Sequence, residues 1–479
     1  MVVLLFLFTP FTILGASAAD TDGDGVEDHL DDCPLAPGNS TVDRDGCPDK
    51  DGDGTSDYND RWSLPNTTFL EDSVLTSSND YTAADHSPDG EFLLTGDENG
   101  WVRMWNVSGK NNVLSVQLTY DGQGREISDV KWSPDGSMIA ATIDHGDVLG
   151  IWYAENISEV NQIDVDVGSN DNPYNIAWSP DSSMIAVAIG RSGNGGTNGQ
   201  VKIINVSSGS EIQTLNPNGE DRFYGVDWSP DGSRIVIGGN DDMWIYDSVN
   251  WQINRSMTGT AASNIMDIAW APDGNHFATC ESWASSNAKG KMWNAHNGVK
   301  IWEKTFSSGC EDVDISSDGH LVAFSMTYYS TDGNSVKIFD TIGGGLKDVI
   351  SGPRPGGCSG GWQNNNCGNA QGVSWHPDGQ NLVSVHSRND QGIYYWFADL
   401  DPDNDGYNSS DQGDGEVDAF PDDGTQWNDT DGDGFGDNQA PANQPDACLT
   451  VSGSSIHDRF GCPDLDGDGY SDPDSSWTI

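Results

Sequence analysis

Basic residues are scarce in this chain: 21 Lys and Arg stand against 76 Asp and Glu, for a formal net charge of -55. That deficit excludes nucleic acid as a partner, because a phosphate backbone would be repelled rather than neutralised. Anionic membrane surfaces are disfavoured on the same ground. Long apolar runs are also missing. Beyond residue 18 no stretch is long and apolar enough to span a bilayer. Residues 1–18 are apolar, lack any Lys or Arg, and end in Ala16-Ser17-Ala18, which fits signal-peptidase cleavage before Ala19 or Asp20. The missing basic flank leaves a retained anchor or a misassigned start as alternatives. The expectation is a cleaved signal peptide and no membrane insertion afterwards. Histidines with metal-ligand spacing are absent, since His145, His276, His320, His376 and His386 are scattered. A Gly-x-Ser-x-Gly does occur at 357–361, but in a Gly/Asn-rich stretch without the strand and helix that a nucleophile elbow needs.

What is present begins with eight cysteines in four local couples, a usage that an oxidising compartment permits. Cys33 with Cys47 and Cys448 with Cys462 share one spacing, Cys358 and Cys367 flank a Gly/Asn-rich loop, and Cys280 and Cys310 remain for each other. Eight Asn-x-Ser/Thr triplets, among them Asn106, Asn205 and Asn254, agree with export. Acid is concentrated at the ends. Residues 20–60 hold 14 Asp and Glu against 2 basic residues, and residues 399–479 hold 21 against 1. These shifts divide the chain into a signal peptide (1–18), an Asp-rich segment (19–61), a middle domain (62–398) and a second Asp-rich segment (399–479).

In the middle domain one phrase returns seven times: an apolar pair, Trp-Ser-Pro-Asp-Gly, then a β-rich run. Its Asp falls at 89, 135, 181, 231, 273, 318 and 378, a period of 42 to 60 residues. Pro presets φ in the turn, Asp tolerates the third position and Gly closes it, so the phrase joins two strands. Runs such as 137–143, 183–189 and 233–239 read as the second strand, and 101–105, 201–206, 243–247 and 336–340 as a third. This resembles the WD-repeat β-propellers and the related periplasmic propellers with a Ser-Pro-Asp-Gly turn. The resemblance implies an all-β, seven-bladed propeller. The Gly-His of WD repeats is missing, and the closing Trp-Asp survives loosely as Trp105-Asn106, Tyr246-Asp247, Trp293-Asn294 and Phe339-Asp340. Tryptophans of the phrase are expected to pack blades. The last repeat runs directly into acid after Phe397, so its outer strand is expected from Thr68 to Leu75, closing the ring.

At the ends, carboxylates recur every second residue around fixed glycines. Asp20, Asp22, Asp24, Asp28 and Asp31 occupy positions one, three, five, nine and twelve of a loop with Gly at six, and Asp49, Asp51, Asp53, Asp57 and Asp60 repeat it. Asp429, Asp431, Asp433 and Asp437, and Asp464, Asp466, Asp468 and Asp472, repeat most of it without an acidic twelfth position. Asp401, Asp403 and Asp405 begin a less regular copy. Calcium, a hard ion taking six to eight oxygens, needs such a cage. No apolar helix pair flanks these loops as in an EF-hand. The shared DxCP and DRxGCPDxDGDG phrases instead resemble thrombospondin type 3 repeats, which implies chain and disulfides wrapped around Ca2+. Without the ion the acids should repel and the segments expand.

In a propeller the frame is constant and the loops carry recognition. Extra length lies after second strands and before first strands, at 190–200, 281–290, 326–335 and 352–371. Both loop classes emerge on one face, so that face is the expected ligand surface, with Trp283, Tyr328, Tyr329, Trp362 and Arg388 as contacts. The expectation is a secreted or cell-surface calcium-binding module for protein or glycan, not an enzyme. Its rival is an extracellular hydrolase or lyase acting on polysaccharide or peptide, which would need converging acids and a perturbed base in a central pocket. Calcium-bridged assembly through the acidic ends is a third role.

Overall fold

The computed structural model describes residues 69–76, 79–146, 148–165, 171–191, 199–219, 222–257, 264–281, 288–327, 335–351, 368–388, 391–398, 418–420, 423, 425–439 and 441–473. Seven four-stranded antiparallel sheets carry the described regular structure, apart from one small hairpin and one short 3-10 turn at Pro217–Gly219. The first strands of blades 1 to 7 are Tyr81–His86, Ile127–Trp132, Asp171–Trp178, Gly225–Trp228, Ile265–Trp270, Gly309–Ile315 and Gly368–Trp375. In blades 1 to 6 the four strands follow one another in chain order. Blade 7 takes its fourth strand from Phe69–Thr76, paired with Gly392–Ala398 from Phe69 opposite Ala398 to Thr76 opposite Gly392. The fold is therefore a seven-bladed β-propeller, and its seam is covered by the strand expected from the sequence.

Each Ser-Pro-Asp-Gly turn is held by its own side chains. In blade 2 Ser133 Oγ donates to Asp135 Oδ1 at 2.7 Å and accepts from Met138 N at 2.9 Å, while Gly136 takes φ +71°. Ser87, Ser179, Ser229 and Ser316 repeat the contact with Asp89, Asp181, Asp231 and Asp318. Blade 7 has His376 in place of Ser. Its Nδ1 lies 2.8 Å from Asp378, and its Nε2 donates to the Gly90 carbonyl of blade 1 at 3.1 Å, so the substitution locks the seam.

The apolar cores lie between neighbouring blades, because each sheet buries both faces. One joins Leu94, Val102 and Met104 of blade 1 to Ile127, Val130 and Trp132 of blade 2. Another joins Val383, Val385 and Ile393 of blade 7 to Tyr81 and Leu93 of blade 1. The tryptophans of the repeat phrase stand in these seams. Trp178, Trp228 and Trp375 donate Nε1 to the carbonyls of Lys131, Ala177 and Asp314 on the preceding blade at 3.3, 3.2 and 3.2 Å. Third-strand tryptophans work within a blade: Trp105, Trp293 and Trp396 donate to Thr95, Thr279 and Ser384 at 2.9, 3.0 and 2.8 Å. The Asn or Asp that follows the third strand caps the next turn, as Asn106 does for Gly109 N at 2.6 Å and Asp247 for Asn250 N at 2.9 Å.

Candidate functional site

Three places could carry function: the ring centre, one loop face and the acidic loops after residue 418. At the centre, Asp85, Asp129, Asp227, Asp267, Asp312 and Asp314 converge on Lys131 from first strands of five blades. Burial opposes the lysine's charge, but Asp129, Asp85, Asp312 and Asp267 outweigh it and hold Lys131 charged. All six of these aspartates reach forward to the first strand of the next blade. Asp85 accepts from Trp132 N at 2.6 Å, Asp129 from Ile176 N at 2.9 Å, Asp227 from Trp270 N at 2.6 Å, Asp267 from Val313 N at 3.1 Å and Asp314 from Trp375 N at 2.7 Å. Asp312 does the same to Val373 N at 2.8 Å. Burial, first of all, pushes Asp129 and Asp314 up to about 7 and Asp85 and Asp227 up to about 6.

Acids therefore do converge, as a hydrolase would require, but the oxygens are engaged in tying blade to blade. Perturbed carboxyls of this kind also arise in structural networks. Glu311 is raised to about 7 by burial, against the 3.0 Å hydrogen bond it accepts from the Thr327 hydroxyl. His86 and His386, lowered to about 3 by burial, stay neutral, and each is bonded to a serine, Ser374 and Ser384. Both serines are themselves buried, Ser374 at 3% and Ser384 at 0% exposure.

The long connections run from second to third strands, between Arg191 and Gln200, Glu281 and Ala288, and Thr327 and Ser335, and from Ser351 into Gly368. Trp283, Tyr328, Tyr329 and Trp362 sit within them, outside the described residues. Arg388 is described: it ends the second strand of blade 7 with φ +67° and its backbone N–H bonds Asp80. A disulfide joins Cys280, near the end of the second strand of blade 5, to Cys310, at the start of blade 6, with Cα atoms 5.6 Å apart. It stitches two blades at that face. Beside it, Lys291 and Glu281 form a buried pair at 2.8 Å.

The acidic loops at 429–437 and 464–472 share one backbone design. The first Asp of each, Asp429 or Asp464, accepts the N–H groups of the two glycines, Gly432 and Gly434 or Gly467 and Gly469, all at 2.8 Å. Those four glycines have φ between +75° and +90°, a region side chains disfavour. Asp433 and Asp468 accept from the residue two further on, Phe435 and Tyr470, at 3.0 and 2.9 Å. The loop is thereby curled until one oxygen atom from each of Asp429, Asp431 and Asp433 lies within 4.8 Å of the others, as do those of Asp464, Asp466 and Asp468. Charges so close repel by roughly 4 kcal/mol per pair at an effective dielectric near 20. Asp431 is the informative member: both its oxygens are shielded from solvent and neither has a hydrogen-bond donor. Desolvation, then Asp433 and Asp429, raises its carboxyl. A hard cation bound by oxygens would supply what is missing, so the donor set fits calcium.

Asp20 to Asp60, Asp401, Asp403 and Asp405, and the couples Cys33 with Cys47 and Cys358 with Cys367, lie outside the described residues. Cys448 and Cys462 are bonded, with Cα atoms 5.1 Å apart. The twelve-residue frame missed one acid. Asp446, only 1% exposed, is turned toward Asp433 and keeps Oδ2 shielded and without a donor. Its signal was its offset from cysteine: Asp446 precedes Cys448 by two residues, as Asp31 precedes Cys33.

Two family models match the chain. One described as eukaryotic translation initiation factor eIF2A matches residues 103–240 and 151–305, and one described as WD domain, G-beta repeat, matches residues 71–106. Similar proteins include Actin-interacting protein 1 of Drosophila melanogaster, 22% identical over 240 residues (49% of this chain, 36% of that protein). WD repeat-containing protein 1 of Rattus norvegicus is 23% identical over 262 residues (51% and 39%), and that of Bos taurus 23% over 280 (54% and 41%). The matched region thus spans well under half of these relatives. The blades establish a seven-bladed β-propeller, and the matches support its likeness to WD-repeat propellers.

Proposed function

We propose that this chain is an exported, calcium-binding interaction scaffold: a propeller that binds protein on one loop face, carried between thrombospondin type 3-like segments that Ca2+ stiffens. The observation that carries the proposal is one-sided elaboration. The Ser-Pro-Asp-Gly turns are short and self-bonded, whereas the four long connections all emerge where second strands end and first strands begin. A WD-repeat propeller is a protein-interaction frame, and Actin-interacting protein 1 is named for such a role. Protein is favoured over glycan for that reason. Calcium is supported by the shielded, donorless oxygens of Asp431 inside its cage. Export is supported by the apolar leader and the cysteine couples. A binding role without catalysis accords with carboxylates at the ring centre that tie blades together.

The test is partner capture from native surface material on the immobilised full chain, in calcium and in chelator, alongside a Trp283→Ala/Trp362→Ala variant. The reading expects discrete partners retained by the native chain and lost from the variant while its melting temperature is unchanged. Equal retention by both would remove the loop face as the binding surface. Turnover of a polysaccharide or peptide that survives this variant but is lost in Glu311→Gln would favour the hydrolase reading.

A further inference from the structure

The acidic loop at 429–437 stops one ligand short. Its twelfth position is Ala440, and in Asp437 Oδ2 already accepts from the Thr430 hydroxyl at 2.5 Å and from Asn428 Nδ2 at 2.6 Å while Oδ1 accepts from Thr430 N at 3.3 Å. From outside that frame the chain returns a further carboxylate. Asp446 N donates to the Gly436 carbonyl at 2.8 Å, which docks Asp446 against the end of the loop. Its Oδ1 accepts from Cys448 N at 2.7 Å; its Oδ2 is shielded from solvent and has no donor, a costly state for a buried carboxylate without a counter-charge. Gly461 leaves the space that this carboxylate occupies. A methyl at Gly461 Cα would lie 2.3 Å from Asp446 Oδ1 and 3.0 Å from Asp433 Oδ2, so both acids flank one glycine. Asp433 Oδ2 in turn accepts from Gly453 N at 2.9 Å, and Phe435 of the loop packs on Phe460 with ring centroids 5.8 Å apart. Gly453, Phe460 and Gly461 all belong to the hairpin closed by Cys448–Cys462. That hairpin therefore presses Asp446 onto the loop.

We infer that Asp446 is the closing ligand of a divalent, oxygen-preferring cation held by Asp429, Asp431, Asp433 and Asp437, delivered across a six-residue insertion by the disulfide-closed loop. The inference rests on the calcium reading of these loops. It is tested by counting calcium ions bound per full-length chain in equilibrium dialysis, with native chain, Asp446→Asn, Asp431→Asn, the double variant and Gly461→Ala. Asn at 446 keeps the acceptor for Cys448 N and removes the charge, so folding is retained; the propeller's melting transition and the intact disulfide are checked alongside. Expected is one ion fewer in Asp446→Asn and in Asp431→Asn, again only one fewer in the double variant, and the same loss in Gly461→Ala, whose methyl intrudes between the acids. A native count in Asp446→Asn with a loss in Asp431→Asn would overturn the role of Asp446 and leave the loop reading standing. Two ions lost in the double variant would place Asp446 in another site and overturn it equally. No calcium bound by the native chain would remove both.

Discussion

Asp129 shows how one side chain can hold the wheel together and strain it at once. It accepts from Ile176 N across the blade 2–3 seam at 2.9 Å, yet burial pushes its carboxyl up to about 7. Asp129→Ala orphans a buried N–H and should cost about 1–3 kcal/mol, whereas Asp129→Asn can still accept from Ile176 N and should cost less; chemical denaturation at pH 7 measures both. The pH dependence follows from the same groups. Asp129, Asp314 and Glu311 at about 7, and Asp85 and Asp227 at about 6, hold protons in the folded wheel that the unfolded chain has released. Their stabilisation is full below the ordinary carboxylate range and is lost as pH rises through 6 to 7. His86 and His386, lowered to about 3, act in the opposite sense, because below 6.5 the unfolded chain takes up protons that the folded one refuses. Five carboxyls outnumber two imidazoles, so the propeller's melting temperature should rise on going from about pH 7.5 to about 5.5. A monotonic fall over that interval would count against neutral carboxyls at the ring centre.

Strands 69–76 and the Cys280–Cys310 bridge act at the scale of elements. Removing Phe69–Thr76 leaves the Gly392–Ala398 edge unpaired and exposes the apolar seam, so the truncated chain should associate, read as a shift to higher mass in light scattering. Replacing both Cys280 and Cys310 by Ser frees a 30-residue separation and should lower stability by about 3 kcal/mol in the chain-entropy account. Legibility in the sequence follows the range of each interaction. The turn phrase could be read because Ser133, Asp135 and Gly136 satisfy one another within four residues. Seam closure could be read because a blade lacked a strand and an unassigned strand preceded the first repeat. The carboxylates around Lys131 could not. Five blades contribute one or two each, separated by tens of residues, and only ring closure brings them together. Asp446 was hidden likewise, since a six-residue insertion moves it out of the loop's frame.

For the whole molecule, the formal charge of -55 is unevenly placed, and the ends and the wheel should respond to cations differently. Within the wheel, buried acids are matched by Lys131, by backbone N–H groups and by retained protons. In the terminal loops they crowd on one another, and Asp431 has no donor at all. If free calcium exceeds the dissociation constant about a hundredfold, each site adds about 2.7 kcal/mol to its folded segment, with little effect on the propeller's own unfolding. Limited proteolysis of the full chain with mass mapping, in calcium and in chelator, tests this division most directly. The account predicts that residues 69–398 survive in both conditions, while cuts appear within 20–60 and 418–473 only when calcium is withdrawn. Termini cut equally in both conditions, or a propeller that falls apart with them in chelator, would contradict it.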